Sequence, residues 1–232
     1  MKNLLLQKFH QVLETVAVKG IRTLSELSGE LDIPLPTLSR LISDMVEMNL
    51  LEKVDHYRVA PAPGLIRLGE CAKSHSPHYQ YMVPEIRKFS EKMQMNVELA
   101  GMKEENMFSF YSGSLPRNHI MTPWESGLKP VLLIMSGVPM ERCLQLFSVE
   151  IPGVSATEHV ILERELESVR SEKKLFRTNT MRQWSWVSAF CSRDMWFGLC
   201  FYGSAAENCS RERFDIECSM LTGRIMSALN EE

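Results

Sequence analysis

One segment near the amino terminus, residues 23–59, constrains the fold most, because helix and strand signals follow one another closely along it. Thr23 stands three residues before Glu26, which is the spacing of a capping box at the start of a helix. The apolar residues that follow keep helical spacing, at Leu24, Leu27 and Leu31. Pro34 disfavours helical backbone in the residue before it. The pattern predicts a short helix over residues 24–31 and then a tight turn.

A third helix is predicted after this turn, and an amphipathic first helix precedes the segment. Pro36 suits a first helical turn, where its missing N–H costs nothing, and Asn49 ends the helix. The apolar stripe of the third helix is Leu38, Leu41, Ile42 and Met45. At 100° per residue its outward face carries Pro36, Arg40, Ser43 and Glu47, flanked by Thr37, Ser39 and Asp44. Residues 50–54 and 57–59 then predict a β-hairpin around Asp55-His56.

Helix, short helix, turn, helix and hairpin is the order of a winged helix-turn-helix, whose helix after the turn lies in the major groove of DNA. Arg40 is the only cation on the outward face of that predicted helix, and it could bond guanine or clamp a phosphate. Short hydroxyl side chains suited to DNA contact lie around it, and Lys53 and Arg58 fall on the predicted wing. The alternative is a three-helix module for protein contacts, with Arg40 merely solvated.

Composition limits the remaining classes of function. The 232 residues carry a net charge of −3, so a role with nucleic acid must rest on a local surface. No run of 18 apolar residues and no signal-peptide pattern is present, which predicts a cytoplasmic protein without a membrane partner. The six cysteines include no CxxC pair and predict free thiols without a metal or cofactor. With no GxSxG, P-loop or HxxxH motif, an enzyme is not expected.

The polar segment CAKSHSPHY, residues 71–79, predicts a boundary, and the chain beyond it alternates helix and strand signals. Helices are predicted over residues 79–93, 128–135, 140–147, 158–173 and 211–229. Strands are predicted over residues 96–102, 107–111, 184–191 and 195–202. This order indicates a sheet with helices packed on it, so the fold class is α+β.

Residues 23–69, TLSELSGELDIPLPTLSRLISDMVEMNLLEKVDHYRVAPAPGLIRLG, resemble the DNA-binding half of the isocitrate lyase regulator (IclR) family of bacterial transcription factors. The resemblance implies a winged helix-turn-helix over residues 1–60, a linker helix over 61–76 and a GAF/PAS-like effector-binding and oligomerisation domain over 77–232. It places Pro36, Thr37, Ser39 and Arg40 where the family contacts DNA. The sequence departs from the family at Leu35 and Pro36, where small polar or basic residues are common.

The second half resembles the family's effector domain more weakly, through the stretches SGLKPVLL, WSWVSAFC and GLCFYGS. The effector-binding residues implied are Met121, Trp124, Ser126, Gly127, Trp186, Ser188, Cys200 and Tyr202. Backbone N–H groups of Ser126 and Gly127 could hold a carboxylate, Arg177 or Arg182 could supply charge, and the two tryptophans could form an aromatic wall. The alternative is that these side chains are ordinary core residues.

These observations predict a transcription regulator that binds a palindromic operator in double-stranded DNA as a homodimer or dimer of dimers. The residues expected to contact DNA are Arg22, Thr23, Pro36, Thr37, Ser39, Arg40, Ser43, Lys53 and Arg58. A carboxylate or aromatic metabolite in the second domain would act as effector. The alternative function is an adaptor that works through protein contacts without a small-molecule effector.

Overall fold

The computed structural model describes residues 4–20, 22–103, 105–115, 120–179, 183–192, 195–204 and 209–230. Their contacts divide the chain into two compact units, Met1–Ser76 and Pro77–Glu232. The first unit has one hydrophobic core, and the second has two cores.

The first unit contains four helices and a small sheet among its described residues. Its elements are α1 (Leu4–Lys19), β1 (Arg22–Thr23), α2 (Leu24–Leu31), α3 (Leu35–Glu47), β2 (Leu51–Lys53), β3 (Arg58–Pro61) and α4 (Pro63–His75). The sheet is antiparallel in the order β1-β3-β2. The predicted helical trio and hairpin are therefore confirmed, whereas β1 was not predicted, and α3 begins one residue before Pro36.

Local chemistry fixes the ends of these helices. The Thr23 hydroxyl accepts a hydrogen bond from the Glu26 N–H at 3.2 Å, while the Thr23 N–H donates to the Glu26 carboxylate at 2.8 Å. This reciprocal pair confirms the predicted capping box of α2. Asp32 and Asn49 take left-handed backbone conformations after α2 and α3, with φ of 50° and 57°. Helices α1, α2 and α3 contribute the main part of the hydrophobic core of this unit, which includes Val12, Val16, Leu27, Leu38, Ile42 and Met45.

The second unit is a five-stranded antiparallel sheet with helices on both faces. Its elements are α5 (Pro77–Met93), β4 (Asn96–Lys103), β5 (Asn106–Gly113), α6 (Leu128–Met135), α7 (Met140–Glu150), α8 (Ala156–Glu172), β6 (Lys174–Thr178), β7 (Gln183–Ser192), β8 (Met195–Ser204) and α9 (Arg211–Asn230). The strand order is β5-β4-β8-β7-β6. The α+β prediction is confirmed, but strand β6 was not predicted, because it is a partly exposed edge strand with little alternation in its sequence.

Each face of the sheet has its own core. Helices α5 and α9 cover one face, called here the α9 face, with Phe89, Trp186, Phe197, Phe201 and Phe214 in its core. Helices α6 and α8 cover the other, called here the α6 face, with Trp124, Leu132, Leu166, Cys200 and Tyr202. Helix α6 approaches the central strand β8 closely at Gly198, where a Cβ atom would lie 2.7 Å from Leu128 Cδ1.

The described cysteines are all free thiols, and Cys143, Cys200 and Cys218 are buried. Within the part of the chain that the structure describes, no group of His, Cys, Asp or Glu side chains could hold a metal ion. A search of the same residues finds no helix with the length and hydropathy needed to cross a membrane.

Candidate DNA-binding face and candidate effector site

The outward face of α3 presents its predicted DNA-contacting residues to solvent. Pro36, Thr37, Ser39 and Arg40 are all exposed, while the apolar stripe beneath them is buried. No carboxylate among the described residues pairs with Arg40, so its guanidinium keeps its full donor set. The first turn of α3 and Arg40 therefore form an accessible surface that can meet a DNA groove.

Two of the predicted hydroxyl contacts are already engaged within the unit. The Ser43 hydroxyl donates to the carbonyl of Ser39, one turn earlier, at 3.0 Å. Thr23 is held in the capping box, and the hydrogen bond from its backbone N–H to Glu26 lowers the pKa of that carboxyl. A carboxylate therefore already occupies the amino-terminal end of α2, where an anionic phosphate would otherwise be favoured.

The wing carries one free and one paired cation. Lys53 is exposed and forms no ion pair with the residues that the structure describes. The Arg58 guanidinium instead bonds the Asp55 carboxylate, with an Nε–Oδ2 distance of 2.6 Å. Asp55 also accepts the backbone N–H groups of Tyr57 and Arg58, both at 2.8 Å. The hydrogen bond from Tyr57, followed by that from Arg58, holds the pKa of Asp55 below its usual range. Asp55 therefore stays charged at neutral pH and offsets the charge of Arg58.

Arg22 differs from Arg40 and Lys53 because one of its unpartnered donors is buried. It lies in β1, opposite Val59 of β3. Its Nε atom is buried and makes no hydrogen bond to any residue described in the structure. A buried donor in this state costs free energy unless water or a ligand oxygen accepts from it.

The eight predicted effector residues do not form one site. Met121, Trp124, Ser126, Gly127, Cys200 and Tyr202 belong to the α6 face or to the loop before α6. Trp186 belongs to the core of the α9 face, where its indole N–H donates to Asp215 at 2.8 Å. Ser188 shares the face of Trp186, because alternate residues of a strand point the same way. The predicted wall of Trp124 and Trp186 is therefore wrong, since the sheet separates them.

The backbone N–H groups at the start of α6 are also not available to bind a carboxylate, contrary to the prediction. The N–H of Ser126 donates to the Thr122 carbonyl at 3.0 Å, and the N–H of Gly127 donates to the Trp124 carbonyl at 3.2 Å. The prediction that these two groups are free to hold a carboxylate is therefore wrong. Gly127 has a φ of 85°, and a Cβ there would lie 2.8 Å from a Leu175 methyl carbon, so glycine is required for this turn.

Arg177 is fully engaged by protein atoms. Its Nε and Nη2 atoms donate to one carboxylate oxygen of Glu165 at 2.9 and 2.6 Å. Its Nη1 atom donates to the carbonyls of Trp124 and Glu125, at 2.7 and 3.2 Å. The guanidinium thereby ties β6 to α8 and to the loop before α6. A carboxylate ligand would have to displace Glu165 to reach it. Arg182, the other predicted cation, lies outside the described residues.

A polar group that sequence analysis missed lies beside Cys200 and Tyr202. Glu98 on β4 pairs in register with Cys200, and it accepts no hydrogen bond from the residues that the structure describes. Burial raises the pKa of Glu98, and burial also raises the pKa of Tyr202 to about 12. Burial raises the pKa of the Cys200 thiol well above its usual range. The strand pattern NVELA could have shown Glu98 to share a face with Asn96 and Ala100.

A groove that opens beside Trp124 is a better candidate ligand site than the predicted cluster. It has a volume of about 350 Å³ and lies between the loop before α6, helices α7 and α8, and β6. Its lining residues are Trp124, Glu125, Phe147, Ile151, Glu158, Ile161, Leu162, Glu165 and Arg177. The Trp124 and Phe147 rings pack with their centroids 5.2 Å apart. Of the eight predicted effector residues, only Trp124 lines this groove.

Comparisons with known proteins identify the fold. No protein-family model and no curated protein matches the chain by sequence. Among solved structures, a regulator from a Silicibacter species superimposes with a TM-score of 0.70 at 15% identity, covering 98% of this chain and 95% of that one. An IclR-family transcriptional regulator from Brucella abortus gives 0.66 at 14% identity, covering 98% and 91%. An IclR homologue from Microbacterium hydrocarbonoxydans, complexed with 4-hydroxybenzoate, gives 0.64 at 18% identity, covering 98% and 100%.

Proposed function

This chain has the fold of the IclR-family transcriptional regulators, as its sequence predicted, and we propose that it is a DNA-binding transcription regulator. The observation that supports the proposal most is the exposed Arg40 on the outward face of α3, which forms no ion pair with the residues that the structure describes. In a helix-turn-helix that face enters the major groove. A palindromic operator is part of the proposal, because a homodimer or dimer of dimers with two-fold symmetry would present two such helices.

Four cations of the first unit have separate roles in this proposal. Arg40 bonds the acceptor atoms of a guanine. Lys53 on the wing contacts the phosphate backbone, and Arg22, which is partly exposed, contributes its positive charge beside a further phosphate. Thr37 and Ser39 add hydroxyl donors beside Arg40. Arg58 contributes less than a free arginine, because the Asp55 carboxylate offsets its charge.

Selection from a pool of genomic DNA fragments tests the proposal, followed by titration of the enriched sequence at several salt concentrations. We expect one palindromic motif and a loss of about 1–3 kcal/mol in binding free energy for Arg40→Ala, with specificity relaxed at one position. Arg40→Lys is the matched control, since it keeps the charge but not the two-pronged geometry. It should preserve the salt dependence while losing base discrimination. No enriched sequence, or an unaffected Arg40→Ala variant, would contradict the proposal.

We propose further that the groove beside Trp124 holds a small aromatic effector. Its volume lies within the range of small-molecule sites, and its Trp124 and Phe147 rings can contact an aromatic ring. The solved relative with bound 4-hydroxybenzoate makes that compound a suitable probe. Calorimetric titration should show binding that Phe147→Ala weakens and that Tyr81→Ala, an exposed aromatic outside the groove, leaves unchanged. Equal binding by both variants would place the ligand elsewhere.

The second candidate function is an adaptor that acts through protein contacts. Exposed apolar side chains on the first unit favour it, among them Leu35, Met48 and Tyr57. The same selection experiment separates the two functions, because a folded adaptor would enrich no DNA sequence at any salt concentration.

A further inference from the structure

The first turn of α3 is apolar as well as exposed. Leu35, its first residue, is 49% exposed, and Pro34 and Pro36 on either side of it are exposed too. The buried stripe of the same helix is formed by other residues, so Leu35 is not needed to close the core of this unit. An apolar side chain that is left in water at this position has contact area available for a partner.

The chemistry of the major groove limits what these side chains can contact there. Leu35 and Pro36 have no polar side-chain atoms, and proline also lacks an N–H, so neither side chain can hydrogen-bond a base edge. The only methyl group that a standard base pair presents in the major groove is the C5-methyl group of thymine. In a helix-turn-helix, the amino-terminal residues of the helix in the groove are those that meet the base edges.

We infer that Leu35, flanked by Pro36, gives the operator half-site a requirement for thymine, recognised by contact of the Leu35 side chain with the thymine methyl group. The inference rests on the proposed function, because it takes α3 as the helix that enters the groove. The charge distribution favours DNA over a protein as the occupant of this surface, since the free cation Arg40 lies on the same exposed end of α3.

The spacing along α3 places the thymine relative to the guanine assigned to Arg40. Arg40 lies five positions after Leu35 along the helix, which is a rise of roughly 7.5 Å. Successive bases along one strand of DNA are spaced by about 3.4 Å. The required thymine should therefore lie about two to three base pairs from the guanine, toward the end of the half-site that the first turn of α3 meets.

Replacement of thymine by uracil in the selected operator tests this inference, because uracil pairs identically and lacks only the methyl group. The full-length chain is titrated with duplexes in which each thymine of one half-site is exchanged in turn. Burial of one methyl group is worth about 0.8 kcal/mol, so uracil at the sensitive position should weaken binding about fourfold. In the Leu35→Ala variant the same exchange should have almost no effect.

Met48→Ala is the matched control variant. Met48 is 61% exposed and directly follows the other end of the same helix, so its removal should leave the fourfold uracil effect intact. An operator that tolerates uracil at every position, or a uracil effect that persists in Leu35→Ala, would overturn this inference alone. The absence of any enriched sequence would overturn the proposed function together with it, and would indicate that the apolar turn serves a protein contact.

Discussion

The close contact between α6 and the central strand β8 predicts that Gly198 cannot be replaced even by alanine without loss of stability. A Cβ atom at this position would lie 2.7 Å from Leu128 Cδ1 and 2.8 Å from Leu132 Cγ. Real Cβ atoms essentially never approach another heavy atom within 3.0 Å. Both leucines are fully buried, so either their side chains must repack against tightly packed neighbours or α6 must shift away from the sheet.

The expected magnitude follows from two opposing effects. Overpacking of a well-packed core costs about 1–3 kcal/mol, and two clashing leucines place this variant in the upper half of that range. Replacement of glycine also lowers the conformational entropy of the unfolded chain, which stabilises the folded state by about 0.4–1 kcal/mol. Gly198→Ala should therefore lower the free energy of unfolding of the second unit by about 1–2.5 kcal/mol.

Urea denaturation followed by tryptophan fluorescence measures this change in the right unit, because all four tryptophans lie beyond residue 76. Gly223→Ala is the matched control. Gly223 lies within α9, and a Cβ there would meet nothing within 4 Å, so alanine should stabilise by about 0.5–1 kcal/mol. If Gly198→Ala were as stable as the wild type, the packing of α6 on β8 described above would be incorrect.

Three further predictions concern a partly buried acid, the wing and the thiols. Because burial raises the pKa of Glu98, its stabilising contribution is present below the ordinary pKa of glutamate and is lost as pH rises through the raised value. Glu98→Gln should therefore unfold at higher urea than the wild type at pH 7 and at the same urea near about pH 4; parallel pH profiles would contradict this. Asp55→Asn should release the charge of Arg58 and steepen the dependence of log K on log salt by about 0.9, whereas an unchanged slope would mean that Arg58 never approaches a phosphate. Iodoacetamide labelling followed by mass spectrometry should modify the exposed Cys71 and Cys191 in the native chain. It should modify the buried Cys143, Cys200 and Cys218 only after unfolding. Burial also raises the pKa of Cys143 to about 12.

The first unit could be predicted almost completely, because its structure is encoded in short stretches of sequence. A capping box, a proline and an apolar stripe each act within one or two helical turns, and all three signals coincide between Thr23 and Met45. Strand β1 was missed because its two residues are a strand only through their pairing with β3. Such pairing depends on contacts between segments far apart in sequence.

The prediction of the effector site was wrong because it assumed an incorrect pairing of strands β7 and β8. The prediction combined even-numbered residues of both β7 and β8, namely Trp186, Ser188, Cys200 and Tyr202. In the structure Trp186 pairs with Phe201, so even-numbered residues of β7 share a face with odd-numbered residues of β8. A partial sequence signal was present, since Trp184, Trp186 and Phe190 fall on even positions in β7 and both phenylalanines of β8 fall on odd positions, but Trp196 and Tyr202 break the pattern. The groove beside Trp124 could not have been predicted in this way, because helices α7 and α8 build it together with β6.

The near-neutral charge of the first unit is compatible with DNA binding because its charges are unevenly placed along α3. Arg40 lies toward the amino-terminal end, while Asp44 and Glu47 lie in the carboxy-terminal half. Glu47 lies seven positions after Arg40, a rise of roughly 10.5 Å, which is comparable to the Debye length of about 10 Å at 0.1 M salt. Asp44 is only four positions away, a rise of roughly 6 Å. If α3 enters the groove with its first turn leading, both acidic residues stay farther from the bases than Arg40, and salt screens the repulsion of Glu47 more than that of Asp44. The same orientation brings Leu35 and Pro36 to the bases, so the charge pattern and the apolar first turn favour one and the same docking geometry.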